Sequence, residues 1–194
     1  CNAAASEANF QEYLAYGNHS TMNEEPDMTY RTLLKESSRG YCLLFDARMV
    51  HFTLNCHLTP NGLIDISHPY KKPRPIFDSS FRPEPWCFGI NDWTSKETEP
   101  PLHFGPSFLN ALIWLYNMRI SYPHAEIYPA DDDISGAFRH GKYHPNVVAM
   151  HSCIVLGRMV CATGSTFGDN SSPGNFEPIA DARKQLAQYL YHQE

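Results

Sequence analysis

The chain has 194 residues, 42% of them hydrophobic and 13% aromatic, with a formal charge of -6. That length allows one domain with a real core, and the composition excludes a disordered chain. The acidic balance excludes a simple basic nucleic-acid coat, though it leaves room for an acidic catalytic surface with locally clustered cations.

No run reaches the ~18 apolar residues of a membrane span, and no signal peptide is legible, so no membrane partner is expected. The six cysteines, at 1, 42, 56, 87, 153 and 161, form no C-x-x-C pair. That scatter reads as reduced, mostly buried thiols of an intracellular protein, cytoplasmic or nuclear. His51, Cys56 and His57 lie close in sequence, but without zinc-finger spacing, and no structural zinc is expected. A start at Cys1 rather than Met reads as a piece of a longer protein.

In chain order, residues 2–16 have a helical pattern, and residues 23–40 predict a second helix with Pro26 near its start and Gly40 closing it. YCLLFDA (41–47) and MVHFTLNCHLTP (49–60) are strand-like, and Asn61-Gly62 before LIDIS is the strongest hairpin signal. A proline-rich stretch runs to Pro101. PSFLNALIWLYNMRIS (106–121) has helical spacing, and HAEIYPADDD (124–133) reads as a strand. Residues 147–164 predict a hairpin turning at Gly157-Arg158, and residues 175–193 a final helix. The expected class is α+β, an antiparallel or mixed sheet packed on helices, divided into a helical segment (1–40), a hairpin region (41–105) and a third region (106–194).

Three constellations carry chemistry. Asp131, Asp132 and Asp133 precede Ile134-Ser135-Gly136-Ala137-Phe138. Carboxylates at a strand end suit a hard cation such as Mg²⁺, and a solvated charge run is the plain alternative. In TGSTFGDNSSPGNFEP (163–178), Gly164, Gly168 and Gly174 allow close backbone approach, and a helix starting at about Ser172 or Pro173 offers amides to an anion. An ordinary loop with capping chemistry is the alternative there. Lys71, Lys72 and Arg74 crowd a strand start, and Lys72 and Arg74, two apart, face the same side and could hold a triphosphate. A solvated edge strand guarded by lysine is the alternative.

In this order and spacing the motifs resemble the reverse transcriptases of retroelements over roughly residues 40–190. The fingers motif R-x-I-x-D-x-S is matched by Arg74 to Ser80, with Asn91-Asp92 after it. The first palm motif is matched by Asp133 and Phe138, and F-G-x-x-x-x-P-x-x-F by Phe167, Gly168, Pro173 and Phe176. The resemblance implies fingers in 41–105, a partial palm in 106–194 and an RNA-directed DNA polymerase acting on an RNA template, a DNA primer and deoxynucleoside triphosphates, with no evident protein partner. It implies that Asp133 is catalytic and binds two Mg²⁺ ions (Mn²⁺ possible) beside the carbonyl of Ile134. Phe138 would be the steric gate against a ribose 2'-OH. Lys72 and Arg74 would contact the triphosphate, and Phe167, Gly168 and Pro173 would line the nucleotide. The family's later Asp-Asp pair has no match downstream of residue 133. The expectation is therefore a fragment, truncated before that motif and inactive by itself. The alternative is a catalytically dead palm-like module that binds or scaffolds.

Overall fold

The computed structural model describes residues 3–94, 97, 106–128, 134 and 136–191. Three helices open the chain: α1 (Ala3–Tyr16), α2 (Ser20–Glu24) and α3 (Pro26–Ser38). Pro26 begins α3 where its missing N–H costs nothing, and Asp27 and Lys35 sit at the ends that the helix dipole favours. Gly40, at φ 69°, ends the segment.

Five strands follow: β1 (Cys42–Asp46), β2 (Asn61–Ile64), β3 (Arg74–Phe77), β4 (Ser152–Val155) and β5 (Arg158–Ala162). They form two antiparallel sheets, one ordered β1-β5-β4 and one pairing β2 with β3. Helices α4 (Ser107–Ser121), α5 (Pro145–Val148) and α6 (Ser172–Tyr191) complete the described elements, with 3-10 turns at Ala47–Phe52, Ile90–Asp92 and Ala137–His140. The architecture is mixed α and β with small antiparallel sheets, as the α+β expectation requires.

The core grows from β5, whose continuous apolar run suits a strand covered on both faces. Val160 points to Met22, Leu33, Cys42 and Leu63, while Met159 and Cys161 face Tyr13, Val50, Leu58 and Cys87. Each such aliphatic side chain contributes about 1.5–3 kcal/mol on burial. Tyr13, buried in α1, donates its hydroxyl to the carbonyls of Phe81 and Phe88, which fastens α1 to the loop after β3. Burial holds its phenol well above the usual range.

The β4–β5 hairpin forms as expected but turns one residue early. Val155 pairs with Arg158, and Leu156 and Gly157 take φ of 49° and 73°, the left-handed pair that a tight hairpin requires. Asn61-Gly62 is no turn. The Asn61 N–H donates to Asn18 Oδ1 at 2.9 Å and its carbonyl accepts the His19 N–H at 3.1 Å, so the pair opens β2 instead. The strand expected at 49–60 is also absent. The Asp46 carboxylate accepts the Arg48 N–H at 3.0 Å and starts a 3-10 turn, after which only Leu58 bridges to Ser152.

Residues 124–128 form no strand either. Arg119 donates to the carbonyls of Pro123 and Ala125, at 3.1 Å each, and curls the chain back onto the end of α4. Residues 129–133 lie outside the described residues. The final helix starts at Ser172 as the glycine-rich loop suggested. The five described cysteines are thiols, four of them buried, and burial pushes Cys42 up to about 11 and Cys56 to about 12. No described helix is long and apolar enough to cross a membrane.

Candidate functional site

Four stretches enclose a cleft of about 480 Å³: the end of α3, the entry to β3, Ile134 with residues 136–139, and Phe167. Of the residues singled out from the sequence, Lys72, Arg74, Ile134, Phe138 and Phe167 line it together. They come from three separated motifs, and the fold brings them to one concavity.

The aromatic wall is built around Phe138, which the 3-10 turn after Gly136 (φ 67°) presents half-buried. Its ring lies 5.2 Å from Phe167 and 6.0 Å from Phe176, inclined to both, so the two palm-like motifs share one aromatic cluster. Arg139, one residue on, turns inward. It is buried, 3.4 Å from the Glu36 carboxylate and over the ring of Phe77, and it ties this turn to α3 and β3. A buried guanidinium needs such a partner, because leaving it uncompensated is strongly destabilising.

The cationic wall has Lys72 and Arg74 on one side. Arg74 donates from Nε and Nη2 to the Asp65 carboxylate, at 3.1 and 2.8 Å, which orients its guanidinium while leaving it about half exposed. Lys72 is exposed. Lys35 and Arg39 of α3 line the cleft with them, as do Tyr41 and Glu36. Sequence reasoning passed over Lys35, Arg39, Tyr41 and Arg139. A Lys and an Arg spaced i, i+4 on a helix read as a solvated face, and nothing local says that the helix end closes over the start of β3.

Gly168 plays a different part from the one its neighbours suggested. At φ 108°, a Cβ on it would lie 1.8 Å from the Phe77 carbonyl oxygen, so the close approach made here is to β3 itself. The Phe77 N–H donates to the Phe167 carbonyl at 3.0 Å. Asn91 completes the join: its amide donates to Ser80 Oγ and to the Gly168 carbonyl, at 2.7 and 2.8 Å, and its oxygen accepts the Asn170 N–H at 3.0 Å. Asp92 pairs with Arg82 and accepts the Gly89 N–H. Asp78 meets His19 at 3.2 Å. Of the conspicuous Asp-Ser-Ser and Asn-Asp residues, Asn91, braced by Ser80, therefore holds the loop that carries Phe167, while Asp78 and Asp92 are engaged elsewhere.

Pro173 sits half-buried in the first turn of α6, off the cleft lining. The amides there are engaged: the Ser171 N–H donates to Asp169 Oδ1 at 3.0 Å and the Ser172 N–H to the Asp169 carbonyl at 3.1 Å. A buried carboxylate thus occupies the place offered to an anion, and its other oxygen accepts the Tyr143 hydroxyl at 2.8 Å.

Asp131, Asp132 and Asp133 lie outside the described residues, and Ile134 is the part of that motif seen at the cleft. Among the described residues no three His, Cys, Asp or Glu side chains form a metal-binding group. No family model, curated protein or solved structure matches the chain.

Proposed function

We propose that the cleft is a nucleotide site, and that the chain is the nucleotide-binding part of an RNA-directed DNA polymerase. The observation that carries this reading is the meeting of Lys72, Arg74, Ile134, Phe138 and Phe167 in one cleft. A triphosphate needs cations with a forked or point geometry, and a sugar and base need an apolar or aromatic wall. Arg74 and Lys72 supply the first and the Phe138–Phe167 pair the second. In this role Phe138 walls off the sugar's 2' position. Asp133 and the Ile134 carbonyl would hold Mg²⁺ or Mn²⁺, whose chemistry is to activate a primer 3'-oxygen and stabilise the departing pyrophosphate. That ligand set rests on the resemblance.

One observation favours a second reading, a palm-like module that binds without catalysis. Residues 124–128, which the resemblance places in the strand leading to Asp133, are not in a strand. The sequence also has no Asp-Asp pair downstream of residue 133, so binding is the readout that tests the site.

Calorimetric titration with a deoxynucleoside triphosphate should give saturable binding that weakens about tenfold in Lys72→Ala, the scale of one lost charge contact of about 1.4 kcal/mol. Phe138→Ala should bring ribonucleoside and deoxynucleoside triphosphates to equal affinity. An affinity untouched by both Lys72→Ala and Arg74→Ala would overturn the nucleotide reading.

A further inference from the structure

Lys35 and Arg39 stand one helical turn apart at the end of α3, Arg39 as its C-terminal cap. Both line the cleft with Lys72 and Arg74. Arg74 is held by Asp65 and Arg139 by Glu36, whereas Lys35, Arg39 and Lys72 make no ion pair with a described acidic side chain. Three cations with no ion-pair partner among the described residues thus share one concavity in a chain whose formal charge is -6. The helix dipole favours a cation near the end of α3, but it does not account for both turning into the cavity that Lys72 lines. Like charges held together repel, and a concave site focuses their field, so the natural occupant is an anion carrying several charges at once. α3 cannot drift away from them. Thr29 and Leu33 bury its inner face, and the Glu36–Arg139 pair fixes its end to the turn that presents Phe138.

We infer that Lys35 and Arg39 form the second arm of a polyphosphate clamp, closing on a triphosphate from α3 while Lys72 and Arg74 hold it from the start of β3. The inference deepens the nucleotide reading and rests on it for the identity of the ligand. Arg39 forks onto two oxygens, and Lys35 acts as a point charge. The clamp counts charge, so it favours three linked phosphates over one.

The test titrates the chain with inorganic tripolyphosphate and with inorganic phosphate. Tripolyphosphate should bind the tighter of the two, and Lys35→Ala and Arg39→Ala should each weaken it about five- to tenfold, with the loss shrinking as salt is raised. Both side chains are exposed, so circular dichroism should show the variants folded. Tripolyphosphate affinity unchanged in the folded double variant would overturn the clamp; if Lys72→Ala still weakened a deoxynucleoside triphosphate, the nucleotide reading would stand without it. Conversely, a deoxynucleoside triphosphate that bound no tighter than tripolyphosphate, with both lost in the double variant, would sink the nucleotide reading and leave the clamp.

Discussion

Strand β5 and helix α4 carry comparable runs of large apolar side chains and meet opposite surroundings. In β5, Met159, Val160, Cys161 and Ala162 are all at most 3% exposed, whereas in α4 Leu109, Ile113, Trp114 and Ile120 range from 48% to 61%. Composition does not separate them. What differs is the set of neighbours: β5 has β1 and β4 on its edges and side chains of α1, α2 and α3 on its faces. The apolar residues of α4 are spread around the helix and form no stripe, so no single face is specified for docking. Burial is decided by what the rest of the chain brings alongside.

The sharpest break of this contrast is Val160→Asp. A carboxylate among Leu33, Cys42 and Leu63 would be buried where the neighbouring cation, Arg139, is already paired with Glu36, and the fold should be lost outright by far-UV circular dichroism. A variant with a wild-type urea midpoint would mean that β5 is no more enclosed than α4.

The next effect extends the contrast to a polar group. Burial, then the neighbouring His151, lowers His57 to about 4 from an ordinary 6.5. Between those values the unfolded chain binds a proton that the folded chain refuses. Stability is therefore full above about pH 6.5 and drains as pH falls toward 4, by about 3 kcal/mol in all. Urea midpoints measured from pH 7 to pH 4 should fall along that window and fall less steeply in His57→Phe, where His151, also lowered by burial, keeps the rest of the slope. A wild-type profile already flat would place the imidazole in water.

The smallest effect belongs to the other side of the comparison. Ile113→Ser in α4 should shift stability by no more than ~0.5 kcal/mol, as surface substitutions do. A loss as large as a core substitution would show α4 to be packed as firmly as β5.

Helices were the most legible elements, because Pro26, Gly40 and the loop before Ser172 mark their ends locally. The β4–β5 hairpin was legible for the same reason, two apolar runs around a glycine. The misreadings share a cause in distant partners. Asn61-Gly62 has the chemistry of a turn, but Asn18 and His19 decide its geometry. The strand at 49–60 is pre-empted by a cap from Asp46. At the cleft, Lys72, Arg74, Phe138 and Phe167 could be singled out because each sits in a patterned motif. Arg39 and Tyr41 sit in none, and only the closure of α3 over the entry to β3 brings them in. Gly168 stands out in the sequence for freedom of backbone, and the neighbour that uses this freedom in the fold is the Phe77 carbonyl, which no local pattern announces.

The pairing of β1 with β5 has a consequence for how the protein is made. Cys42 meets Ala162 and Asp46 meets Arg158, so the sheet joins residues that leave the ribosome more than 110 positions apart. At synthesis rates of about 5–20 residues per second, roughly ten seconds separate the first strand from its partner. Through that interval Met22, Leu33 and Cys42 have only one another, Leu63 and its neighbours to close against, because Cys153, Val155 and Val160 do not yet exist. Pairing over such a span is slow even once the chain is released, since the loop entropy is lost before the contacts repay it. The nascent first half therefore spends longest as an open apolar surface, and a chaperone that recognises such surfaces would find it there, before the third strand of the sheet emerges.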